Sequence, residues 1–223
     1  MEPDDFRARL TRRAAGAGVA LSQPLTASLS AYYDLLQRWN RTINLTALTT
    51  EDEAIDRLLL EPLLAARHLP SPPVRLLDIG SGGGSPAIPI KLAVPGAALT
   101  MVEGRSRKAA FLREAIRILQ LSDTAVEASR LEEISDRREW QSAWDAVSSR
   151  GVRIGQAELA IVSRLLRPGG LLILFLPTTA FPADLASSAF GDPQVEPLLP
   201  AASSFLAILR RKSDVDVPRG TLA

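Results

Sequence analysis

Asp78 stands two residues before Gly80, and Gly80, Gly82, Gly83 and Gly84 crowd the stretch that runs to Ser85 and Pro86. Glycine has no Cβ, so such a loop can take positive φ and let a ligand rest almost directly on its peptide groups. Glu103 lies 23 residues after Gly80. At that interval a carboxylate can accept hydrogen bonds from both hydroxyls of an adenosine ribose. Arg150 follows Ser149 at the end of a later apolar run, and the planar fork of arginine can pair with phosphate or stack on a base. There is no cysteine, and the one histidine, His68, sits beside Pro70, Pro72 and Pro73. Disulfide frameworks, thiolate nucleophiles and multi-histidine zinc sites are thereby excluded, and no metal is expected.

Several elements must position these groups. Val74 to Ile79 is short and branched, which predicts a buried parallel strand. Pro86 suits the first turn of a following helix. Further strands are predicted at Ala98 to Glu103, Thr124 to Ala128, Trp144 to Ser149 and Leu171 to Leu176. Helices are predicted from Arg105 to Leu121 and from Ile154 to Leu166, the latter stopped by Arg167-Pro168-Gly169-Gly170. Gln194 to Leu199 and Phe205 to Leu209 read as a terminal antiparallel pair around Pro200 to Ser204. The alternation implies an α/β fold, a Rossmann-like, mostly parallel sheet flanked by helices. Ligands bind such sheets beyond the carboxyl ends of the strands. Gly80 to Ser85, Glu103, Ala128 to Glu132 and Ser149-Arg150 should therefore line one crevice.

Residues 1–73 read as a helical N-terminal region, 74–212 as the sheet domain and 213–223 as a fraying tail. Phe6, Leu10 and Ala14 share a face of a first helix that ends at Gly16 and Gly18. A second helix, Leu25 to Asn40, carries Leu29, Tyr32, Tyr33, Leu36 and Trp39 at helical spacing, a stripe read as core. Trp39 to Thr46 reads as a structured connection. Thr50 and Glu53 form a capping box for a third helix that Pro62 should kink. At 223 residues and 46% hydrophobic the chain can bury a sizeable core. It shows neither a signal segment nor a membrane span, so a cytoplasmic monomer is the default. Net charge is only +1, and all but Lys91, Lys108 and Lys212 of its 26 basic residues are arginine. Any nucleic-acid site must be a local patch. Arg105, Arg107 and Lys108 oppose the dipole at a helix start, which points to an anionic partner or a solvated cluster.

A nicotinamide fingerprint wants glycine where Ser85 stands, whereas Asp-x-Gly-x-Gly resembles the first motif of class I methyltransferases. Together with Leu-Leu-Gln-Arg-Trp-Asn-Arg-Thr-Ile-Asn-Leu-Thr (35–46), Leu-Leu-Asp-Ile-Gly-Ser-Gly-Gly-Gly-Ser-Pro-Ala-Ile-Pro (76–89), Arg-Lys-Ala-Ala-Phe-Leu (107–112) and Ser-Ser-Arg-Gly (148–151), it resembles the RsmG (GidB) family. The resemblance implies a methyltransferase that uses S-adenosylmethionine to methylate N7 of a guanine in 16S ribosomal RNA, free or in a small-subunit assembly particle. It implies Gly80, Gly82 and Ser85 as cofactor-loop positions and Glu103 as the ribose acid. Leu131 and Glu132 match its adenine-side segment, and Arg150 matches its Ser-Arg motif. The alternatives are a noncatalytic RNA-binding or ribosome-assembly protein of the same fold, or a methyltransferase acting on another RNA or a small molecule. The sequence departs from the family pattern at Leu58, Glu61-Pro62, Gly151 and Leu176-Pro177, where histidine, Asp-Ser, alanine and Lys-Gly are usual.

Overall fold

Val74–Ile79 (β1) is buried at every position but Arg75, the pattern of a strand covered on both faces. In a computed structural model, which describes residues 3–177, 189–199 and 204–213, this strand belongs to a seven-stranded sheet. Ala97–Val102 (β2) and Thr124–Glu127 (β3) extend it in parallel to one side. Trp144–Arg150 (β4) and Leu166–Leu176 (β5) extend it in parallel to the other. Phe205–Arg210 (β7) then pairs antiparallel with β5, and Gln194–Pro197 (β6) closes that edge. Chain order reverses between β1 and β4, so the loops leaving their carboxyl ends diverge and open a crevice. The fold class expected from the sequence is the one observed. The tail at 214–223 and most of the expected 200–204 turn lie outside the described residues.

The fifth strand begins five residues earlier than expected, at Leu166. Pro168, Gly169 and Gly170 do not end it, because the ladder with β4 shifts register between Trp144 and Ala146 and absorbs them.

Successive strand residues point to opposite faces, and Leu76 and Leu77 accordingly enter different cores. On one face Leu76 and Leu99 meet Ala87–Ala93 (α5), Ser106–Leu119 (α6) and the N-terminal helices Pro3–Gly16 (α1) and Gln23–Asn40 (α2). On the other, Leu77 and Val147 meet the short Leu131–Ile134 (α7) and Gln156–Leu165 (α8). The aromatic stripe of α2 packs: Tyr32 is wholly buried, Tyr33 stacks on Phe6 at 4.6 Å and Trp39 meets Phe111 edge-on at 5.8 Å. Among the described residues no helix is long and apolar enough to cross a membrane.

The third helix starts as Glu51–Ala54 (α3), with Thr50 Oγ1 accepting the Glu53 amide as the capping box predicts. At Pro62 the helix changes register. The helix widens into a π turn over Ile55–Leu60, in which the Glu61 amide reaches back to Asp56, and resumes as Glu61–Ala65 (α4). An N–H at position 62 would serve the Leu58 carbonyl in an α register or the Arg57 carbonyl in a π register. Proline serves neither.

Candidate functional site

The glycine loop folds back over β2, where the amides of Gly80 and Ser81 share the Val102 carbonyl at 2.9 and 3.1 Å. Gly80 has φ +68°, and a Cβ there would lie 2.3 Å from Val152 Cγ2. The next contact joins two predicted site residues: the Gly82 amide donates to Glu103 Oε2 at 2.9 Å, while the Arg105 amide donates to Oε1 at 2.8 Å. Glu103 thus ties the loop after β1 to the loop after β2. Each of its oxygens still has a lone pair to offer a hydroxyl.

Beneath the loop, Asp78 is 1% exposed. Its Oδ1 accepts from Ser148 Oγ at 2.6 Å, while Oδ2 is buried without a partner. Burial, before any other cause, pushes its pKa up to about 6. From the helical side, Tyr32 donates its hydroxyl to the Gly83 carbonyl at 2.6 Å, and burial holds that phenol above its ordinary value. A Cβ on Gly83 would stand 3.1 Å from Leu36 Cδ1 and 3.2 Å from the Leu45 carbonyl. Asn40 presses Leu45 into that place, its Oδ1 accepting the amides of Leu45 at 2.8 Å and Thr46 at 3.0 Å. The Trp-Asn…Leu-Thr string is therefore a brace: Trp39 anchors in the core and Asn40 folds the connection against the glycine loop.

The two carbonyls released by Pro62 are taken up by predicted site residues. Ser85 Oγ donates to the Leu58 carbonyl at 2.9 Å, and Arg150 Nη1 donates to the Arg57 carbonyl. Arg150 Nη2 pairs with Glu61 Oε2 at 2.8 Å, and its guanidinium lies 4.0 Å from the centre of the Phe175 ring. Burial is the main influence on this pair. It raises the Glu61 pKa and lowers that of Arg150 to about 10.

Gly80, Gly82, Ser85 and Arg150 come together around one cavity of about 270 Å³, with Glu103 bonded to its Gly82 wall. Leu131 and Glu132 do not line it. Leu131 turns into the core with Ile79 and Val102, and Glu132 is exposed. From that loop Arg130 packs against the turn after β2, with Cγ 3.0 Å from where a Gly104 Cβ would sit. Lys108, which the sequence offered only as one of a basic cluster, also lines the cavity, with Nζ 3.9 Å from the Cβ position of Gly82. Tyr32 was indistinguishable from a core residue by spacing, whereas Asp78 was legible through the Asp-x-Gly pattern. Together these groups offer a closely approachable glycine backbone, the Glu103 carboxylate with the buried Asp78 beneath it, and the Lys108 ammonium.

Comparison with known proteins places the chain among relatives. A family model described as rRNA small subunit methyltransferase G matches residues 25–179. A ribosomal RNA small subunit methyltransferase G of Chloroflexus aggregans is 37% identical over 156 residues, 70% of this chain and 66% of its own length. One of Neisseria meningitidis is 36% identical over 162 residues, 73% of this chain and 75% of its own. The chain thus spans about two thirds of the first relative and three quarters of the second. A crystal structure of a predicted O-methyltransferase from Agrobacterium tumefaciens superposes with a TM-score of 0.54 at 17% identity, covering 70% of this chain and 82% of that one. That likeness concerns the fold alone.

Proposed function

The chain belongs to the rRNA small subunit methyltransferase G family, and from that premise we propose that it transfers a methyl group from S-adenosylmethionine to N7 of a guanine in 16S ribosomal RNA. The observation that carries the proposal is the junction of the glycine loop with Glu103 at the switch point of the sheet. The residues there suit this cofactor. Gly80 and Gly82 allow close approach, Glu103 has lone pairs for ribose hydroxyls, and the Asp78 oxygen without a partner complements an ammonium group. Lys108, rather than the already engaged Arg150, is the cation for the cofactor carboxylate.

When bound, S-adenosylmethionine supplies an electrophilic methyl group on a sulfonium. Guanine N7 carries a lone pair and no proton, so the chain needs no general base, in keeping with a crevice that contains neither cysteine nor histidine. What the protein contributes is orientation, worth up to about 7–11 kcal/mol in well-held systems, and exclusion of water from the sulfonium. The brace of Tyr32 and Asn40 supports both, because it fixes the backbone on which the cofactor would rest. The protein would act as a cytoplasmic monomer on free 16S RNA or on a small-subunit assembly particle.

Calorimetric titration with S-adenosylmethionine and transfer of a tritiated methyl group to small-subunit RNA from cells lacking the protein test this reading. Saturable binding and a 7-methylguanosine located by mass spectrometry are expected. Absence of cofactor binding overturns it. Cofactor binding without methylation of any ribosomal RNA favours a noncatalytic RNA-binding or assembly role, and transfer confined to metabolites favours a small-molecule enzyme.

A further inference from the structure

Arg150 lines two adjoining cavities. One holds the glycine loop; the other, of about 280 Å³, has apolar walls that include Leu48, Leu58, Phe175 and Pro177. Both terminal nitrogens of its guanidinium are already engaged. Nη2 is paired with Glu61 and Nη1 with the Arg57 carbonyl, while Nε is buried with no partner. One face lies against the Phe175 ring. Nη1 and Nη2 are engaged and Nε is shut away from solvent, and the 17% of the side chain that stays exposed lines both cavities. Glu61 is as firmly held: its side chain is 2% exposed, and its other oxygen accepts from Ser204 Oγ.

A buried ion pair is a weak source of stability, and one that leaves an N–H unpaired is weaker still. Departures of this kind collect at functional sites. The ligand that suits a fixed guanidinium face between apolar walls is flat and aromatic. Nucleic-acid bases stack on arginine planes, and an electron-rich purine does so best.

We infer that this second cavity receives the target guanine, stacked on the free face of Arg150, and that Glu61 is the positioning residue that holds the plane and balances its charge. The inference rests on the methyltransferase reading given above. Pro62 contributes by denying the Arg57 carbonyl a helical donor, so that it is free to clamp Arg150. The charge balance matters chemically. As N7 takes up a methyl group the base becomes cationic, and a lone guanidinium beneath it would oppose that change. With Glu61 ionised the pair is neutral and does not.

The test uses the full chain with small-subunit RNA from cells lacking the protein. Arg150→Lys keeps the charge but loses the plane. It should lower kcat/KM for RNA by about 10- to 100-fold, the scale of one lost base stack, with a much smaller change in S-adenosylmethionine affinity. Glu61→Gln should lower kcat more than it raises KM, a split that a purely structural role would not produce. Phe175→Leu, a milder change at the backing ring, should give a smaller loss of the same kind if either variant melts early. A second readout does not require turnover: ligand-observed NMR of guanosine monophosphate against uridine monophosphate, with S-adenosylhomocysteine saturating. The wild type should prefer the purine and Arg150→Lys should lose that preference. Should the wild type methylate no ribosomal RNA yet show this preference, the functional reading falls and the base site stands. If Arg150→Lys leaves RNA turnover and purine preference intact, or weakens the cofactor as much as the RNA, the base site is overturned.

Discussion

Asp78→Asn should stabilise the folded protein at neutral pH, and by an amount that depends on pH. The carboxyl is 1% exposed, one oxygen has no partner, and burial raises its pKa from 3.8 to about 6. The folded protein therefore binds a proton at a pH where the unfolded chain has already released it. Stability from the neutral acid is complete below the unfolded value and is lost as pH rises through about 6. At 1.36 kcal/mol for each tenfold change, the ionised group costs the fold about 3 kcal/mol at pH 7.5. Asparagine never ionises and can still accept from Ser148, but its amide places donors where Oδ2 lay, at a cost of about 1–2 kcal/mol. The net gain is about 1–2 kcal/mol at pH 7.5, and it should shrink by about 1.4 kcal/mol on going to pH 5. Urea unfolding of both proteins without cofactor at pH 7.5, 6, 5 and 4 measures the difference directly. A variant less stable at every pH, by a constant amount, would refute the view of Asp78 as a carboxylate held against its solvation preference. The same variant should bind S-adenosylmethionine more weakly, since the crevice then lacks that negative charge.

Tyr32→Phe removes the donor to the Gly83 carbonyl and should cost about 1–2 kcal/mol in urea unfolding, together with cofactor affinity. Asn40→Ala deprives the Leu45 and Thr46 amides of their acceptor; their hydrogen exchange should accelerate at least tenfold (about 1.4 kcal/mol of local opening), with Trp39 still packed. Pro62→Ala restores an N–H that competes for the Leu58 and Arg57 carbonyls. It should raise helix stability but lower methyl transfer, and a structure of the variant should show position 62 bonded to one of those carbonyls. Loss of transfer with Ser85 and Arg150 unmoved would contradict this account.

Much of the fold was legible because hydrophobic pattern and punctuation agreed. Val74 to Ile79 is an apolar run too short for a helix and ends in glycines, and it is the observed β1. The α2 stripe of Tyr32, Tyr33 and Trp39 at helical spacing is packed, as its periodicity implied. Arg167-Pro168-Gly169-Gly170 does stop α8, but the next strand starts before it rather than after, because a β-ladder can absorb such residues at a register shift, and that depends on the partner strand. At Pro62 the sequence marked the irregularity but not its form. Whether a proline kinks a helix or widens it into a π turn is decided by what can take the carbonyls it orphans.

The sequence by itself determined the parallel sheet, the glycine loop at the end of its first strand and the carboxylate placed to meet it, since these follow from residue type and local spacing. Tertiary structure alone decided what each group has left to offer. Glu61 and Arg150 are 89 residues apart, and no periodicity relates them. Their mutual burial turns an arginine that could have been a phosphate fork into a fixed plane. Asp78 likewise has an ordinary side chain in the sequence. Only the surrounding fold, by removing water and supplying one hydroxyl where two partners were needed, makes it an acid that titrates near 6.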